Sequence, residues 1–249
     1  MKTEAVKTAK RTLDILEAFG ESQEPLSLSE IARQIGSPVS SCHGVLRTLK
    51  GRGYVYLLDG RRYYPTRKLL DLGSRISAHD PIMDRLVPHL EALQARTEET
   101  VMIGKRQDHE VLYLLAIESP QAIRYTIRTG DTRPLHASAI GKALLGQLPD
   151  ERLLHDLRKL KLQRYTETTL SSVEQLAGDI RSSRKRGYFV TRGEYSAGGM
   201  GVAAAFNLAS ESFAIAVAGP LPRMKSKLPA VGRAVLDAAE ALSRATQKI

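Results

Sequence analysis

One cysteine, Cys42, stands in a chain of 249 residues. A lone thiol excludes a disulfide framework and a cysteine-built zinc site. Long apolar runs are missing as well. None approaches the roughly 20 residues that cross a bilayer, so no transmembrane helix is expected. The opening Met1-Lys-Thr-Glu-Ala-Val-Lys-Thr-Ala-Lys lacks the apolar core of a signal peptide. A soluble, cytoplasmic protein with no membrane partner is the expectation. Acidic residues are few beside basic ones, 27 against 37, which leaves a formal charge of +10. That balance points to a polyanionic partner, most often nucleic acid. The rest is ordinary: 42% hydrophobic and 26% charged residues exclude wholesale disorder. The length favours two domains.

The positive charge is local. Residues 33–68 hold eight Lys and Arg (Arg33, Arg47, Lys50, Arg52, Arg61, Arg62, Arg67, Lys68) against Asp59 alone. A solvated basic face would account for that count, so the fold of the stretch decides. Leu13, Ile15, Leu16 and Phe19 form one helical stripe, with Gly20 as the expected stop. Ser27-Leu-Ser-Glu30 has capping-box spacing and opens a second helix that buries Leu28, Ile31, Ala32 and Ile35 and ends at Gly36. Ser37 as cap and Pro38 in the first turn open a third helix. It turns Cys42, Val45, Leu46 and Leu49 inward and Ser40, Ser41, His43, Gly44, Arg47 and Lys50 outward. Tyr54–Leu58 and Arg62–Pro65 then flank Asp59-Gly60, a strong hairpin signal, with Arg61 and Arg62 at or beside its tip. Helix-turn-helix followed by a basic hairpin is a winged helix. The competing reading is a small helical interaction domain with a basic side.

Residues 66–98 read as helical (Leu69, Leu70, Leu72, Ile76, then Ile82, Leu86, Leu90, Leu93), interrupted around Asp80-Pro81. This suits a linker and dimerisation element, or simply a packing helix. Beyond Thr100 short β-like runs occur at 101–105, 111–118, 122–128, 188–194, 202–208 and 213–219. Helical stretches are expected at about 138–148, 150–160, 172–187 and 225–247, giving an α+β domain on one antiparallel sheet. No catalytic constellation stands out. Gly193-Glu-Tyr-Ser-Ala-Gly misses the nucleophile-elbow spacing, His136 and Ser138 have no placed acid, and Gly141-Lys142 is only the end of a phosphate loop. The six histidines are dispersed, so neither a metal nor a cofactor is expected. The segment at Ser138-Ala139-Ile140 starts a helix, whose free N–H groups suit an anion, although Ser138 reads first as a cap.

Several blocks in order resemble the IclR-type bacterial transcriptional regulators. They are Lys10-Arg-Thr-Leu-Asp-Ile-Leu-Glu-Ala-Phe, Leu26-Ser-Leu-Ser-Glu-Ile-Ala-Arg-Gln-Ile-Gly, Arg52-Gly-Tyr-Val, Glu99-Thr-Val, Leu135-His-Ala-Ser-Ala-Ile-Gly-Lys-Ala-Leu-Leu, Arg186-Gly-Tyr-Phe-Val and Ala218-Gly-Pro. The resemblance implies an α+β, two-domain protein: a winged helix-turn-helix (1–66), linker and dimerisation helices (67–98) and a GAF-like effector-binding domain (99–249). It implies a double-stranded operator, a homodimer or dimer of dimers, and no catalysis. Val39 and Gly44 replace long side chains common in the family, and Gly44 costs roughly 1 kcal/mol in a helix. Base reading then falls on Ser40, Ser41, His43 and Arg47, with Val39 open to a thymine methyl and Arg61 and Arg62 on the backbone. Carried over by motif, the effector cavity is bordered by Ser138, Ala139, Ile140, Gly201, Ala216 and Ala218, with Tyr125 and Arg133 nearby. Regulators of this type that bind small polar acids carry Cys and Ser where this chain has Gly201, Ala216 and Ala218. Their replacement implies a wider, more apolar cavity and an aromatic or otherwise bulky carboxylate. A winged head fused to a small-molecule-processing enzyme, or a winged helix with no effector, are the readings from other classes.

Overall fold

The computed structural model describes residues 6–78, 80, 83–208 and 210–246. It consists of two units, divided after residue 80. In the first, α1 (Lys7–Ser22) buries Ile15, Ala18 and Phe19. It runs past Gly20, because buried Phe19 anchors the last turn, and stops where Gln23 turns left-handed (φ 57°) and donates to the Phe19 carbonyl. A short β1 (Leu26–Ser27) leads into α2 (Leu28–Gln34) through the full capping box: Ser27 Oγ accepts from Glu30 N at 3.3 Å and Ser27 N donates to Glu30 Oε2 at 2.8 Å. Those bonds hold the Glu30 carboxyl below the usual carboxylate range. In α3 (Val39–Gly51) the cap position falls on Pro38, not on Ser37. Pro38 is extended (φ −58°, ψ 137°), so the helix begins one residue late and no side chain caps it.

The hairpin of β2 (Val55–Leu58) and β3 (Arg62–Pro65) closes at Leu58–Arg62. Asp59 and Gly60 both have positive φ (49° and 66°), the left-handed pair that a I′ turn requires. β1 adds to the other side of β3. Ile15, Phe19, Ile31, Val45, Leu46, Leu49 and Val55 make the core beneath. The helix α4 (Lys68–Ser77) follows and buries none of its residues.

The second unit is a six-stranded antiparallel sheet in the order β6-β5-β4-β9-β8-β7. Its strands are β4 (Thr100–Gln107), β5 (Glu110–Ile117), β6 (Thr132–Pro134), β7 (Phe189–Arg192), β8 (Gly199–Leu208) and β9 (Glu211–Pro220). Alternation along the strands divides two cores. Val101, Ile103, Val202, Ile215 and Val217 pack with α5 (Met83–Thr97) and α9 (Leu221–Thr246). Met102, Ala203, Ala214, Ala216 and Ala218 pack on the other face with α6 (Ala139–Leu145), α7 (Asp150–Lys159) and α8 (Val173–Arg186). The expected break in the 66–98 helix lies between α4 and α5; Ile82 of its proposed stripe is outside the described residues.

One expected strand is absent. Residues 122–128 form no strand, and the sheet edge is β6 instead. The apolar alternation at Ile123, Tyr125 and Ile127 mimics a strand, yet Ile123 is 74% exposed while Ile127 is buried. Bonds to the sheet's end hold this segment across it: Thr100 Oγ1 donates to the Tyr125 carbonyl (2.6 Å) and Arg223 Nη2 to the Ile123 carbonyl (2.9 Å). Arg223 in turn grips the fully buried Glu99 carboxylate, with Nη2 to Oε2 at 2.8 Å. Tyr125 is thereby brought over the face that carries α6.

Candidate DNA-reading face and ligand cavity

The inward stripe of α3 sets its outward face. With Cys42, Val45, Leu46 and Leu49 buried, Ser40, His43, Arg47 and Lys50 stand exposed along one side. Ser41 and Gly44 are only half-buried neighbours of α1, so they lie beside this face rather than on it. Val39 is 49% exposed at the start of the helix. Arg61 is exposed in the hairpin turn, whereas Arg62 begins β3 and donates from Nη1 to the Pro25 carbonyl at 3.2 Å. Arg62 thus stands exposed beside the tip with one of its N–H groups bonded to its own domain, and Arg61 is at the tip. Burial pushes the Cys42 thiol up, so it stays a protonated core group.

In the second unit a small cavity lies between the sheet and α6. Tyr125, Arg133, Ser138, Ala139, Ile140, Gly201, Ala216 and Ala218 all line it. The register explains the floor. Thr191, Gly201, Ala218 and Thr100 stand in a row across β7, β8, β9 and β4, and Ala203, Ala216 and Met102 form the next row on the same face. Small side chains in both rows leave the hollow that α6 roofs.

Gly201, however, does not widen it. A Cβ there would sit 3.1 Å from Thr191 Oγ1 and 3.2 Å from the Ala139 Cβ, so neighbouring atoms already occupy that room. What its replacement removes is a polar atom. Nor does the helix dipole supply the positive end: α6 is seven residues long and Ser138 Oγ already accepts from Gly141 N at 3.1 Å. The cation is Arg133. Its guanidinium lies 4.8 Å over the Tyr195 ring, Nη1 donates to the Thr132 carbonyl (2.7 Å), and Nε is buried without a partner.

Several lining residues escaped the sequence reading, among them Met102, Tyr113, Thr191, Glu194 and Tyr195. Burial pushes the Tyr113 phenol up, which keeps it a neutral donor. Glu194 is a buried residue of the lining, 2.7 Å from the ammonium of fully buried Lys142, which also holds Asp179 at 2.9 Å. Burial raises the Glu194 carboxyl, and Lys142 opposes that rise. A lysine in the apolar run Ala139–Leu145 was the available signal: a charge inside a core helix must find a buried partner. Lys142 is thus an ion-pair centre and not part of a phosphate loop. His136 is buried, contacts the Gln163 carbonyl at 2.9 Å, is pushed down by burial, and forms no ion pair with an acid among the described residues. No cluster of three His, Cys, Asp or Glu fit for a metal occurs among the described residues.

Comparison with known proteins identifies the family. Residues 8–58 match the IclR helix-turn-helix domain, and residues 75–244 match the family described as bacterial transcriptional regulator IclR C-terminal. The chain belongs to the IclR family. It is 34% identical over 242 residues to the HTH-type transcriptional regulator BhcR of Paracoccus denitrificans, covering 96% of this chain and 86% of that one. The crystal structure of the Thermotoga maritima IclR superposes with a TM-score of 0.80 at 27% identity, over 96% of this chain and 98% of that one. An IclR homologue from Microbacterium hydrocarbonoxydans, crystallised with 4-hydroxybenzoate, shares the fold at a TM-score of 0.77 and 22% identity, over 97% of this chain and all of that one (100%). This IclR protein is accordingly a ligand-responsive, DNA-binding transcriptional regulator. Its family consists of regulators rather than enzymes, and no described helix is long and apolar enough to cross a membrane.

Proposed function

We propose that this regulator governs a catabolic operon by binding an aromatic or otherwise bulky carboxylate in the second-unit cavity. The observation that carries the reading is Arg133: a guanidinium with an unpartnered, buried Nε, beside a floor of Met102, Ala216 and Ala218 and among the rings of Tyr113, Tyr125 and Tyr195. A carboxylate satisfies that N–H, and an aromatic body gains about 25 cal/mol per Å² of apolar surface buried against these walls. A two- or three-carbon acid has little such surface and would leave polar groups unpaired at about 1–3 kcal/mol each. On this reading Ser40, His43 and Arg47 read bases and Arg61 meets a phosphate. The helices of residues 67–98 link and pair the heads of a homodimer or dimer of dimers on a pseudo-palindromic operator.

Calorimetric titration with 4-hydroxybenzoate beside glyoxylate and pyruvate is the test. The aromatic acid should bind and the two small acids should not; tight binding of the small acids alone overturns the reading. Arg133→Met should weaken the aromatic acid roughly 10- to 100-fold, as loss of a charge-assisted hydrogen bond does, with operator affinity in the absence of effector unchanged.

A further inference from the structure

A second cleft lies in the first unit, between α1 and α3, lined by Thr8, Arg11 and Thr12 on one side and Ser41, Gly44 and Thr48 on the other. No carboxylate among the described residues lines it. Arg11 is only partly exposed and its Nε is buried with no partner; it forms no ion pair among the described residues, while its neighbour Lys10 is taken by Asp14 at 2.7 Å. A guanidinium N–H out of water and without an acceptor is a site waiting for one. Thr8 and Ser41, together with Ser40 at the same rim, make no hydrogen bond through their hydroxyls to another described residue, so three further donors sit beside it. Thr12 and Thr48 spend theirs on the carbonyls of Thr8 (2.9 Å) and Gly44 (3.1 Å).

The occupant follows from the position. Ser40 belongs both to this cleft and to the exposed face with His43 and Arg47. When that face enters a major groove, one bordering strand passes the cleft. Gly44 keeps the way open. A Cβ there would meet nothing within 4 Å, so the fold does not require glycine at this position. A side chain would instead project toward the strand.

We propose that the α1–α3 cleft seats a backbone phosphate of the operator, with Arg11 as its cation and Thr8, Ser40 and Ser41 as hydroxyl donors. The proposal rests on α3 being the DNA-reading helix, and its test separates the two. Fluorescence anisotropy would compare the full-length protein and its variants on operator and random duplexes across a salt series. Arg11→Gln should weaken both duplexes by the same factor, roughly tenfold or more, and lower the salt slope by about one per head. Arg11→Lys should keep the slope. Gly44→Glu, placed where the fold has space, should weaken both duplexes with Arg11 intact and the melting temperature the same or higher, since a helical glycine is replaced, which covers the case of a poorly folded Arg11 variant. An unchanged slope in Arg11→Gln, or a loss confined to the operator, overturns the proposal. So does a stabilisation by inorganic phosphate alone that Arg11→Gln abolishes without changing DNA affinity, since the cleft would then hold a free anion. Failure of the wild-type protein to bind any duplex would instead refute the DNA-reading role of α3.

Discussion

At the scale of single residues, charge alone says little about role; each cation is sorted by what surrounds it. Lys142 is consumed by Glu194 and Asp179 and Arg223 by Glu99, while Arg62 shares one N–H with a carbonyl of its own domain. Arg47 and Arg61 remain exposed with no such side-chain bond among the described residues, one on α3 and one at the hairpin tip. They should separate in binding assays. Arg47→Ala should cost roughly 1–3 kcal/mol on the operator and relax preference at one base pair. Arg61→Ala should weaken all sequences alike and reduce the salt slope by about one. Equal loss on specific and random DNA for Arg47→Ala would remove it from the base-reading set.

At the scale of elements, α6 is tightly packed. All seven of its residues are buried, and it approaches the preceding 3₁₀ turn (Leu135–Ala137) so closely that a Cβ on Gly141 would lie 2.2 Å from the Leu135 carbonyl oxygen. Gly141→Ala should therefore destabilise the protein by about 3 kcal/mol, at the upper end of overpacking costs, despite alanine's better helix propensity; chemical denaturation measures it. His136 in that turn makes stability depend on pH. Burial lowers its pKa below the ordinary 6.5, so the folded chain binds fewer protons than the unfolded chain as pH falls through that range. Stability should decline as the solution is acidified from about 6.5 and level off once the folded pKa is passed. His136→Gln should flatten this part of a denaturation-against-pH profile. An unaltered slope would assign the dependence to other groups.

At the scale of the whole molecule, α4 buries none of its residues and leaves Leu70 and Ile76 58% and 66% exposed. Leu69, Leu72 and Ile76 recur at helical spacing along it, and an apolar stripe that its own unit leaves uncovered favours pairing. At micromolar concentration the full chain should sediment as a dimer or larger; a monomer mass with intact operator binding would sink that expectation. Much of this architecture could be read from the residues alone. The capping box at Ser27–Glu30, the Asp59-Gly60 turn and the inward stripe of α3 are local patterns, each satisfied within a few residues, and they determine the winged head. Motif order likewise located eight residues that prove to line one cavity. The remainder depended on long-range placement. Strand periodicity in residues 122–128 was overruled by hydrogen bonds from Thr100 and Arg223, the latter 100 residues away. The apparent opening at Gly201 is filled from β7 and α6, and Glu194 reaches the cavity through a lysine 52 residues earlier in the chain. A sequence specifies the bonds a segment makes with itself. Which polar atom is left unpartnered, as in Arg133 and Arg11, emerges only when distant elements pack and remove the water that would have paired it.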